Sequence, residues 1–143
     1  VSVRQQIVDA IKTRLQQILL GNGYQTDVGK HVFRHEPMMI DDDDLPALIY
    51  RATTGDSRAV TGYHMHTLEL EIVAVMDGRA SDDTVREIMA DVLKAIGTDP
   101  TWGGLAINTT PRGNDIQTDP ANGKITASVQ RFAIAYRTAE WAI

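Results

Sequence analysis

Tyr63-His64-Met65-His66-Thr67-Leu68-Glu69-Leu70-Glu71-Ile72-Val73-Ala74-Val75-Met76 alternates with a period of two. His64, His66, Leu68, Leu70, Ile72, Ala74 and Met76 fall on one side of the run, and Met65, Thr67, Glu69, Glu71, Val73 and Val75 on the other. Successive side chains of a strand point to opposite faces, so the run predicts one long β-strand. Its polar start predicts half exposure there, and its apolar end predicts burial on both faces. The fold class then depends on what flanks this strand.

Upstream, Leu45 to Arg51 reads as a strand, whereas Thr53 to Gly62 is polar and glycine-punctuated and predicts a turn or a mobile loop. Lys30 to His35 predicts a short strand, ended by Pro37 and the acidic run Asp41, Asp42, Asp43 and Asp44. At the start, Ser2 followed by Gln5 has the spacing of a capping box, and Val3, Ile7, Ile11, Leu15, Ile18 and Leu19 recur at steps of three and four. This predicts an amphipathic helix of about five turns. Gly21 and Gly23 are expected to close it, because glycine adopts the left-handed conformation at little cost.

Downstream, Ser81 is placed to cap a second helix, with Asp82 and Asp83 at its positive end. Val85, Ile88, Met89, Val92 and Ile96 form its apolar stripe, and Lys94 and Gly97 mark its end. Thr98 to Gly104 is rich in turn residues. Leu105 to Thr110 reads as a strand interrupted by Pro111 and Gly113. Asn122-Gly123 between Ile116 and Ile125 is a two-residue hairpin signal, since both residues tolerate the positive φ of a type I′ turn. Val129, Phe132, Ile134 and Tyr136 then lie along a long final strand from Lys124 to Thr138.

The order α-β-β-β-α-β-β predicts an α+β fold. Its sheet is mixed but mostly antiparallel, with about five strands, two helices on one face and a long C-terminal hairpin. No repeat or low-complexity linker divides the chain, so residues 1–143 read as a single domain. Two helices on one face leave the other face for solvent or partners, and an uncovered strand edge is a template for another subunit.

Composition narrows the chemistry. The 143 residues are 43% hydrophobic and 23% charged, ordinary values for a globular chain, and 6% aromatic, which is low. The absence of cysteine excludes disulfides, thiolate nucleophiles and cysteine-ligated metal centres. Apolar runs such as Ile72 to Met76 are too short to span a bilayer, and the N-terminus, with Arg4 and Asp9, reads as a helix rather than a signal peptide, so no membrane association is expected. Val1 in place of an initiator methionine points to a trimmed start. A net charge of −5 leaves no broad basic face for phosphate backbones.

Each candidate for chemistry has a plainer alternative. His64 and His66 point to the same face of a strand and could share a metal, or they are polar residues at an exposed strand start. The run Asp41 to Asp44 suits a hard cation in residue type but lacks the spacing of an EF-hand loop, and reads better as a solvated loop. Ser57, Ser81 and Ser128 lie in no G-x-S-x-G elbow, and Gly103-Gly104 and Gly113 form no phosphate loop. Glu69 and Glu71 share a face, as an acid–base pair or as surface carboxylates. Trp102, inside Asp99-Pro100-Thr101-Trp102-Gly103-Gly104-Leu105, either plugs the end of the core or anchors a subunit contact, and Trp141 presents a similar choice. No catalytic residue, metal ligand or cofactor is assigned, so the expectation is a non-enzymatic protein working through its surfaces.

The layout resembles a known family. Leu45-Pro46-Ala47-Leu48, the strand from His64 to Val75, the stretch Ala95 to Ala106 through Trp102, and Phe132 to Thr138 are together similar to the tail terminator proteins of long-tailed bacteriophages, the family of the lambda minor tail protein U. The resemblance implies a small structural subunit that forms a hexameric ring on the head-proximal end of the tail tube. Such a ring stops tube polymerisation and offers the surface to which the head connector binds, with DNA passing only through its lumen. The implied partners are other copies of the chain, the tail tube protein and the head–tail connector protein. The implied location is the virion tail, reached through the host cytoplasm during assembly. The interface residues expected on this basis are Asp41, Asp42, Asp43, Asp44, Asn122, Gly123 and Trp102, with the loop from Thr53 to Gly62. The alternatives are another neck or tail-completion protein of similar shape, or a small metal-dependent enzyme built around His64, His66 and the aspartates.

Overall fold

The computed structural model describes residues 2–34, 45–77, 82–118 and 125–143. Helix α1 (Val3–Leu15) starts as its capping spacing predicts, with the Gln5 N–H donating to Ser2 Oγ at 3.1 Å. It stops short of the expected five turns, at Leu15. The chain turns there, and Ile18, fully buried, enters the core outside the helix. The Ile18 carbonyl accepts from the Gly29 N–H at 2.9 Å, so a tertiary bond takes the place of another helical turn. Leu20–Asn22 forms a single 3-10 turn closed by Gly23 at φ +88°.

Five strands make one sheet: β1 (Val32–Arg34), β2 (Ala47–Val60), β3 (Tyr63–Asp77), β4 (Asn108–Thr118) and β5 (Ile125–Thr138). Their spatial order is β1-β2-β3-β5-β4. Only the β1–β2 pairing is parallel; the others are antiparallel. With α2 (Asp82–Gly97) between β3 and β4, the element order is the α-β-β-β-α-β-β read from the sequence.

Three further expectations need correction. Thr53 to Gly62 is not a loop: β2 continues to Val60 against β3 and closes through Thr61-Gly62, with Gly62 at φ +87°. The ladder to β3 holds these residues extended although nearly all of them are exposed. The fourth strand is not ended by Pro111 and Gly113. It spans both by a bulge, and proline is tolerated because β4 is an edge strand. The end of β3 is not buried on both faces, since Val73 and Val75 are only half-buried. Ser81 and the Asn122-Gly123 turn lie outside the described residues.

Both helices cover the same face. Ile7, Ile11 and Leu15 of α1 and Val85, Ile88, Val92 and Ile96 of α2 share one core with Leu68, Leu70 and Ile72 of β3 and Phe132, Ile134 and Tyr136 of β5. Leu68 is opposite Ile134 and Leu70 opposite Phe132, so the even-numbered residues of both central strands face the helices. Asp91, 1% exposed on α2, accepts from the Gln25 N–H at 3.0 Å and the Thr26 hydroxyl at 2.6 Å, and ties the segment after α1 to the helix layer. Among the described residues, no helix is long and apolar enough to cross a membrane.

Candidate functional site

The polar start of β3 lies at the β2–β3 hairpin end of the sheet, where the chain leaving β5 folds back over it. A bulge between Thr54 and Ser57 shifts the β2 register so that Ser57 stands opposite His66. His66 is 4% exposed, and its ring stacks on Tyr136 at 5.0 Å. The Tyr136 hydroxyl in turn accepts from Arg4 Nε at 2.7 Å. His66 Nε2 lies 3.0 Å from both Thr138 Oγ1 and the Ala142 carbonyl. A carbonyl can only accept, so Nε2 carries the proton, and Nδ1 offers its lone pair to the Ser57 hydroxyl 2.8 Å away. Burial holds the imidazole below its ordinary pKa; the Ala142 carbonyl opposes this, and Arg4 and His64 add to it.

His64 lies at the mouth of the same site. Its Nδ1 accepts from the Trp141 N–H at 3.1 Å, and its ring meets the indole edge-on at 5.1 Å. Trp141 is 91% exposed with φ +63°, a conformation fixed by this fold-back. A groove of about 480 Å³ runs here between Ser57, Arg58, Ala59, His64, Trp141 and Ile143. Its lining combines an aromatic and aliphatic surface with the Ser57 hydroxyl and the His66 imidazole.

The sheet face away from the helices has a different character. Arg51, Glu71 and Arg131 are cross-strand neighbours on β2, β3 and β5. Arg131 Nε lies 3.7 Å from Glu71 Oε2, with both side chains more than 40% exposed, so the pair contributes at most about 1 kcal/mol. Glu69 and Glu71 do share this face, and Glu71 is engaged by a cation rather than aligned with a second carboxylate.

Trp102 belongs inside. It is 2% exposed at φ +54°, with the Arg14 guanidinium 3.8 Å above its ring and its Nε1–H donating to Thr109 Oγ1 at 2.8 Å. Asp99 shapes the loop around it by accepting from the Thr101 hydroxyl and N–H and from the Gly103 N–H. Those bonds, the Thr101 hydroxyl first, hold the Asp99 carboxyl below its ordinary range, with a further contribution from Arg14. Of the two roles open to Trp102, the structure shows a plug at the end of the core.

Asp41, Asp42, Asp43, Asp44, Asn122 and Gly123 lie outside the described residues. Among the described residues, no three His, Cys, Asp or Glu side chains gather in metal-binding geometry. The same-face placement of His64 and His66 is as the alternation predicts, but their nitrogens meet Ser57, Thr138, the Ala142 carbonyl and the Trp141 N–H. Sequence reasoning missed the Ser57–His66 pair, because Ser57 stood in an expected loop and its partner is set by a bulge. Gly55, two residues earlier, was the local signal for that bulge. No protein-family model matches the chain, and no curated protein matches it.

Proposed function

We propose that this chain is a ring-forming tail terminator of a long-tailed bacteriophage or prophage. Copies join head to tail into a hexameric ring on the head-proximal end of the tail tube, stop tube growth and present the surface that the head connector binds. DNA meets the ring only as it passes through the lumen.

One observation carries this reading: of the exposed large apolar side chains among the described residues, which also include Leu20, Leu93 and Ile107, three lie at two unlike places around one sheet. Trp141 and Ile143 stand over the β2–β3 hairpin end, and Ile116 stands on the edge strand β4 toward its far end. A closed ring with cyclic symmetry needs two different complementary patches on every copy, whereas a two-fold dimer needs one patch that matches itself. The buried Trp102 takes no part in such a contact; Trp141 is the aromatic group available for it.

The test is addition of the purified protein to tail tube protein during polymerisation, followed by electron microscopy. Tubes of limited length with capped ends are expected. Unchanged tube growth at a stoichiometric excess of the protein would sink the reading.

A further inference from the structure

The Ser57–His66 pair is left unused by a ring-forming role. Ser57 lies on an exposed stretch of β2, and His66 beneath it is buried, with Nδ1 2.8 Å from the hydroxyl oxygen. The Ala142 carbonyl at Nε2 fixes the tautomer that leaves Nδ1 free to accept the hydroxyl proton. A hydroxyl, a base within hydrogen-bond reach and a third group that orients the base are the parts of an activated nucleophile. Tyr136, stacked on the ring, holds it in place.

The groove beside the pair defines the ligand. Ala59, Trp141 and Ile143 give it an apolar wall on the side of β2 that Ser57 shares, whereas Arg58, opposite Met65, is directed to the other face of the sheet. An apolar acyl chain suits that wall.

We propose that Ser57 is a nucleophile that takes an acyl group from small apolar carboxylic esters, with His66 as its base. Ser57 Oγ bonds to the ester carbonyl carbon as its proton passes to His66 Nδ1. The tetrahedral adduct collapses, the bond from the acyl carbon to the departing oxygen breaks, and that oxygen leaves as the alcohol with the proton from Nδ1. Water, deprotonated by the same imidazole, then hydrolyses the acyl-serine to the acid and restores Ser57.

The test is incubation of the full chain with p-nitrophenyl butyrate, reading nitrophenolate release together with the acylated peptide by mass spectrometry. One butyryl group per chain on Ser57 is expected, formed on the order of a hundredfold faster than any acylation of Ser57→Ala. His66→Gln should lose the acylation as well. Should that variant fail to fold, the pH profile of the unaltered chain takes its place. A rate that levels off once His66 is neutral supports the base; Arg4 from α1, His64 from β3 and the Tyr136 phenol from β5 are the other charged or titratable groups that bear on that ring. A rate that climbs steadily with hydroxide, equal release by Ser57→Ala, or label confined to other residues overturns the proposal. The readouts are taken on the unassembled subunit, because a ring contact through Trp141 and Ile143 would cover the groove; failure of acylation there overturns this proposal and leaves the tube-capping test untouched.

Discussion

Gly29 has less room than any other glycine in the described structure. A Cβ there would stand 2.6 Å from the Leu15 carbonyl oxygen, 2.8 Å from that of Ile18 and 2.9 Å from that of Gln16, all backbone atoms. Gly29→Ala is therefore expected to lower stability by about 1–3 kcal/mol in denaturant unfolding, while Gly21→Ala, which meets nothing, should leave it nearly unchanged. Ser128 makes the opposite case. Its hydroxyl is fully buried on β5 and, among the described residues, has no hydrogen-bond partner. Ser128→Ala removes that uncompensated desolvation and should raise stability by about 1 kcal/mol in the same assay. His66 sets a pH dependence. Because burial depresses its pKa in the fold, the unfolded chain binds the proton more readily. Stability should be full above the ordinary imidazole value of about 6.5 and should fall as the pH drops from there through the folded-state value. Unfolding curves across that range should flatten in a folded His66→Gln variant.

At the scale of the elements, legibility followed burial. β3 and β5 could be read because one face of each is packed under helices, which imposes an apolar period of two on the sequence. The outer half of β2 is exposed from Thr53 to Ala59, so nothing selects apolar residues there and the segment imitates a loop. The end of α1 was misread for the converse reason: Ile18 is buried at a helix-like spacing, but by a turn that meets Gly29. At the candidate site the histidine pair was legible by alternation. Its partners were not, since Ser57 depends on a bulge and Ala142 on a fold-back 76 residues away in sequence. Asp91 connects two elements that sequence periodicity cannot relate. Asp91→Ala strands the Gln25 N–H and the Thr26 hydroxyl, and a loss of about 1–3 kcal/mol is expected, with faster amide exchange in the segment after α1.

For the whole molecule, the proposed ring makes Trp141 the informative position. Its side chain is almost wholly exposed, so Trp141→Ala should leave the melting temperature of the subunit within a few degrees while reducing tube capping and the ring fraction in light scattering. The sheet order β1-β2-β3-β5-β4 has a separate consequence for the order of events during synthesis. The strand that fills the place between β3 and β4 is the last of the five to leave the ribosome. Until residues 125–138 emerge, β4 lacks its one neighbour and β3 has only β2, and the even face of β3 lacks Phe132, Ile134 and Tyr136 beside it. Nascent chains stalled before Ile125 should consequently remain protease-sensitive and bind chaperones that recognise exposed apolar strands, and release of the final strand should end both.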